Sequence, residues 1–180
     1  MQDGAHYQLL CSRTSETPLT AVRGVLLLAG RRVVRERGLY ARYEAMLPAE
    51  VRPKLDALTA TDMIPMETLL PHEVALDGLG FSMDEARAIG CEMSRIVNGA
   101  VYSTIVRLTG KLGASPWLVF SQAPKTWARL YRGGAVAVYR CGDRSARVEV
   151  SGDPLARFAF HREAFSGALF HIVTDFCDAP

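Results

Sequence analysis

The candidates for ligating a metal in this sequence are His72, Cys91, Cys141, His161, His171 and Cys177, with Glu73, Glu163 and Asp175 as carboxylates. Protein zinc sites show short paired spacings of Cys and His, and none of these residues stands in such a pattern. His161 and His171 could meet only if the fold brought a strand end over a helix, so no metal is expected. Tyr102-Ser103-Thr104 with Arg107 faintly echoes the polar set of some haem-binding gas sensors, but at the wrong spacing. Nucleophilic catalysis finds no GxSxG elbow, and Cys91 falls in a helical, apolar stretch where a small packing role is usual. Neither GxxxxGK[ST] nor GxGxxG occurs, so Gly133-Gly134 is expected to be a helix-to-strand junction and not a phosphate loop. The residues therefore predict no catalytic set and no cofactor.

The aromatics remain. Trp117, Phe120, Trp127 and Tyr131 recur at helical spacing, and Phe165 and Phe170 do so near the C-terminus, with Tyr139, Phe158 and Phe160 between. Such a set builds a core, and it is equally how the mostly apolar wall of a small-molecule site looks. Both readings stand, and the first six residues are the candidate ligand contacts. A second candidate surface is basic: Arg31, Arg32, Arg35 and Arg37 form the densest positive cluster, with Arg31 and Arg35 on one helical face that could meet a protein partner.

Several elements must position these residues. TAVRGVLLLAGRRVVRERG sets Val22, Val25, Leu26, Ala29 and Val33 on one stripe, a first amphipathic helix. Pro48 opens a short helix, and a further turn or two around IPMETLLPHEVALDGLG is expected to be interrupted by Pro71 and to close near Gly78 or Gly80. Ser82-Met83-Asp84-Glu85 is a capping box, which starts a central helix running to about Thr109. Ser115-Pro116 starts another, broken near Pro124 and ending at Gly133-Gly134. The period then switches to two. Gly142-Asp143 predicts a two-residue hairpin turn that pairs Ala137 with Val148 and Tyr139 with Ala146, giving one apolar face and a wetter one carrying Val136 and Val138. Residues 158–161 are expected to add a third strand, and EAFSGALFHIVTDF to close the chain as an amphipathic helix.

The fold class expected is α+β: a helical N-terminal half packed with a small antiparallel sheet and a C-terminal amphipathic helix. Residues 1–19 read as a flexible leader and 20–180 as a single domain, a length that buries a core without staples. Lys and Arg exceed Asp and Glu by 21 to 19, a net charge of +2 that argues against a dedicated nucleic-acid binder. No apolar run is long enough to span a bilayer, no signal peptide is evident, and the scattered cysteines fit reduced thiols in the cytoplasm.

From about Thr20 onward the order of features resembles a known group. Arg23-Gly24-Val25, Ala88-Ile89-Gly90, Ser115-Pro116, Pro124-x-x-Trp127-x-x-Leu130-Tyr131-x-Gly133 and the hairpin ending at Ser151-Gly152 are similar to an uncharacterised paralogous family expanded in myxobacteria. That family is distantly similar to the 4-vinyl reductase domain and to Bet-three-like trafficking subunits. The resemblance implies an α+β fold, a homodimer, a lipophilic pocket in some members, and a regulatory or binding role without catalysis. A protein-interaction module with no ligand is the alternative. Members usually continue past the last helix into a further strand or hairpin, whereas this chain stops at Cys177-Asp178-Ala179-Pro180, so either a smaller sheet or a sheet edge completed by a partner is expected.

Overall fold

A computed structural model describes residues 7–15, 17–101 and 115–176. The class is α+β, with helices packed around two small antiparallel sheets. Tyr102-Ser103-Thr104 with Arg107, the expected end of the central helix near Thr109, and Cys177 lie outside the described residues.

The first sheet joins β1 (Gln8–Arg13), β5 (Ala135–Arg140) and β6 (Ala146–Ser151) in the order β1-β5-β6. Its third strand therefore comes from the segment expected to be a flexible leader: Gln8 pairs with Arg140 and Arg13 with Val136. Residues 158–161, the expected third strand, instead end a 3₁₀ turn (Pro154–Arg157) and begin the last helix. The hairpin register also differs from expectation. Val138 pairs with Val148 and Arg140 with Ala146, because the connection is the three residues Gly142–Arg144, closed by Cys141 N–H donating to Ser145 O at 2.9 Å. Arg140 holds that loop by donating to Gly142 O (3.1 Å) and Asp143 Oδ1 (2.8 Å). One added residue exchanges the faces of the hairpin. Val136 and Val138 consequently turn inward and are buried, the reverse of the wetter role expected for them.

The second sheet, β3 (Met63–Pro65), β2 (Ala21–Arg23) and β4 (Tyr131–Arg132), is short and clamps the start of α1 (Gly24–Glu36). Val22 thus belongs to a strand and not to the helical stripe. A sharp junction joins the two sheets. Gly133 and Gly134 take φ of +80° and +65°, and a Cβ on Gly133 would lie 2.1 Å from Pro18 O. Only glycine combines that backbone with that clearance.

Helix α2 (Tyr40–Met46), not expected, is followed by α3 (Arg52–Asp56), which starts later than Pro48. Helix α4 (Met66–Asp77) runs through Pro71 without breaking, the cost of the absent N–H being outweighed by the burial of Leu69, Ala75 and Leu76. Ser82 and Glu85 form the expected capping box, with Ser82 N–H donating to Glu85 Oε2 (2.8 Å) and Glu85 N–H to Ser82 Oγ (3.3 Å). It opens α5 (Met83–Val101). Ser115 Oγ accepts from Trp117 N–H to start α6 (Pro116–Phe120), and the chain restarts as α7 (Ala123–Leu130), breaking one turn before Pro124.

Helix α8 (Ala159–Phe176) lies along α5 as the main helix pair. Their approach is set by glycine on both sides: a Cβ on Gly90 would sit 1.8 Å from Ala164 O, and one on Gly167 2.0 Å from Arg87 O. Cys91 Sγ donates to Gly167 O at 3.1 Å, and Arg87 pairs with Glu163 at 2.8 Å. Among the described residues no helix is long and apolar enough to cross a membrane.

Candidate functional site

Beyond the close approach of α5 and α8 at Gly90 and Gly167, residues of α6 and α7 face the same pair of helices across a gap. A partly open cavity of about 340 Å³ lies between them. Its wall takes Leu26 and Leu27 from α1, Leu69 and Leu76 from α4, Met93 and Val97 from α5, and Phe120, Trp127 and Leu130 from the α6–α7 segment. Val136, Val138 and Val148 close it from the sheet, and Phe165, Ala168, Leu169 and Ile172 from α8. The inverted hairpin register is what delivers the three valines to this wall.

The aromatic candidates divide. Phe120, Trp127, Tyr131 and Phe165 are wall residues. Trp127 is buried, its indole N–H donates to Gly133 O at 3.0 Å, and its ring stacks on Tyr131 at 4.2 Å. The glycine junction therefore orients the tryptophan as well as turning the chain. Trp117 is half-buried behind Phe120, with the Arg140 guanidinium 4.8 Å above its ring, and does not line the cavity. Phe170 points away from it and is 67 % exposed.

Arg31 is not on a solvated face. It is 6 % exposed and donates to Leu55 O, Tyr40 OH and Asp56 Oδ1. Leu27 and Val34, one turn to either side, are buried as well, so the helix rotates Arg31 inward and the α2–α3 segment supplies its partners. Arg35 remains exposed, its guanidinium 4.0 Å from the Tyr40 ring centre. The two arginines therefore do not form a shared open surface.

One end of the cavity is polar. His72, Glu73 and His161 are wall residues contributed by α4 and α8. His161 lies between two carboxylates, with Nε2 at 3.2 Å from Asp153 Oδ2 and Nδ1 at 3.7 Å from Glu73 Oε1. Burial alone would push the imidazole down, but the Asp153 and Glu73 carboxylates outweigh it and raise its pKa to about 9, so it is a cation at neutral pH. Asp153 serves twice, since its Oδ1 accepts from Leu155 N–H at 2.9 Å and caps the 3₁₀ turn. Asp77 Oδ1, at the end of α4, accepts from Phe160 N–H at 2.8 Å and fixes the first turn of α8, which carries His161.

His72 behaves in the opposite way. Full burial lowers its pKa to about 4, and the neutral ring shares a 2.7 Å hydrogen bond between Nδ1 and Tyr43 OH. Burial likewise raises the Tyr43 and Tyr131 phenols well above their usual value. Glu73 Oε2 is buried without a hydrogen-bond partner. Sequence reading treated His72, Glu73 and His161 only as scattered metal candidates. The local signal that could have tied one of them down was Asp153-Pro154, a turn cap with a spare carboxylate oxygen.

Chemically, the arrangement offers an apolar volume with one acidic, hydrogen-bonding end. Among the described residues no group of three or more His, Cys, Asp or Glu side chains is placed to hold a metal ion. No protein-family model, no curated protein and no solved structure matches the chain.

Proposed function

We propose that this chain is a non-catalytic regulatory or sensory domain that takes a small, largely apolar ligand into the cavity between α5, α8 and the α6–α7 segment. The supporting observation is the volume itself. Apolar side chains lining a space of about 340 Å³ have no partner atoms on that side and forgo the contacts they would make in a filled core. Away from the polar end the wall is Leu, Val, Met and aromatic side chains, which offer ordered water few polar partners. A ligand of matching size restores many of those contacts.

The output of such a domain is proposed to pass through self-association, in line with the family that its motifs resemble. Strands β1 and β6 are the outer strands of their sheet and leave edges where a second chain can add. Native mass spectrometry tests the reading. A small-molecule mass lost on denaturation, or uptake of one decane-sized probe per chain, supports it; a bare protein mass that takes up no apolar probe overturns it. Sedimentation with and without the probe tests the dimer separately.

A further inference from the structure

The polar end of the cavity restricts what its occupant can be. Glu73 is 7 % exposed, belongs to the cavity wall and keeps Oε2 without a hydrogen-bond partner. A buried carboxylate oxygen left unsatisfied costs free energy that a donor on a ligand recovers. Counted as formal charges with His161 protonated, the groups beside it do not cancel: Glu73 and Asp153 are two carboxylates against one imidazolium, leaving −1. His72, next to Glu73 in the wall, is neutral, and the nearby Arg31 is occupied by Asp56.

Resting on the reading of the cavity as a ligand site, we propose that it takes amphiphiles headed by a protonated amine, the ammonium donating to Glu73 Oε2 and the hydrocarbon body filling the apolar wall. An ammonium brings the buried cluster to neutrality and supplies the missing donor in one group. A carboxylate head would bring the same site to −2 and offer Glu73 no donor. An alcohol supplies a donor without a charge and falls between. The volume of about 340 Å³ suits a small hydrocarbon body.

Decylamine, decan-1-ol and decanoate share a ten-carbon chain and differ in the head. Titrated below their micellar concentrations into the full chain at pH 7 by calorimetry, decylamine is expected to bind with one site per chain. Its affinity should exceed that of decanoate by about tenfold or more, with decan-1-ol between, the margin of one charge-assisted hydrogen bond. Non-specific attraction cannot mimic this order, because a chain of net charge +2 favours decanoate. Glu73→Gln should weaken decylamine by about tenfold or more while leaving decan-1-ol within about threefold. Decanoate binding as tightly as decylamine, or an unchanged decylamine affinity in Glu73→Gln, overturns the head-group proposal and leaves the cavity as a ligand site. Failure of all three probes to bind removes both. The ranking in the unmodified protein decides the proposal even if the variant does not fold.

Discussion

Two histidines at one end of the cavity are displaced in opposite directions, and together they predict where stability peaks with pH. His161 binds its proton more tightly in the folded chain, its pKa rising from 6.5 to about 9. Its contribution is therefore fully present below pH 6.5 and is lost as pH rises through 9. His72 resists protonation when folded, its pKa falling from 6.5 to about 4. The unfolded chain takes up that proton first, so stability is lost as pH falls from 6.5 toward 4. At about 1.4 kcal/mol per pKa unit, each limb is worth about 3 kcal/mol. Urea denaturation from pH 4 to pH 9.5 should then show a maximum near pH 6.5, with slopes of about 1.4 kcal/mol per pH unit on either side from these groups. His161→Gln should lower stability at pH 6.5 by about 3 kcal/mol and make little difference at pH 9.5, removing the alkaline limb alone. An alkaline limb that persists in His161→Gln, or stability in the unmodified chain that stays level from pH 6.5 to 9, would refute the assignment of a buried imidazolium between Asp153 and Glu73.

The remaining predictions concern packing. Gly90→Ala or Gly167→Ala, placing a Cβ at about 2 Å from a backbone carbonyl across the α5–α8 crossing, should cost about 3 kcal/mol or more and lower the Tm by roughly 6–12 °C in differential scanning calorimetry. Arg31→Glu should cost about 3–5 kcal/mol by opposing Asp56 and abandoning Leu55 O, whereas Arg35→Glu on the open face should stay within about 0.5 kcal/mol; equal thermal effects would show that Arg31 is not buried. Ala168→Phe, filling part of the cavity from α8, should stabilise the ligand-free chain by about 2 kcal/mol and abolish the Tm increase produced by decylamine. A variant that keeps the full decylamine shift would place the probe elsewhere.

What could be read from the sequence and what could not follows from the range of the interactions involved. The starts of α5 and α6 were legible because Ser82, Glu85 and Ser115 satisfy backbone groups within three residues of themselves. A break at Gly133-Gly134 was legible too, although the pair joins β4 to β5 and not a helix to a strand, and Trp127 keeps the place expected from its helical spacing while Tyr131 lies in β4. Phe170 shares that spacing yet is exposed, because α8 has apolar residues around more of its circumference than α5 and the cavity cover. Strand β1 was missed since Gln8–Arg13 is half polar and has no partner within a hundred residues: its pairing to Ala135–Arg140 is specified by the other strand. The hairpin error came from the smallest cause, one residue in a turn.

The polar end of the cavity marks the limit most clearly. Its members come from residues 72 and 73 on α4, 153 in a turn and 161 on α8, and no local spacing relates them. Each has a sufficient explanation nearby: His72 has Tyr43, Asp153 has a cap to make, and His161 follows a helix start held by Asp77. Only Glu73 lacks one. Ion pairing with His161 uses Oε1, and the buried Oε2 is left over in a wall that is otherwise mostly apolar. A domain that needed His161 only as a structural cation could be held by Asp153 alone, so the second carboxylate adds a negative charge that the fold does not neutralise. That surplus separates a cavity that merely tolerates a hydrocarbon from one that discriminates among head groups, and its sign selects for amines.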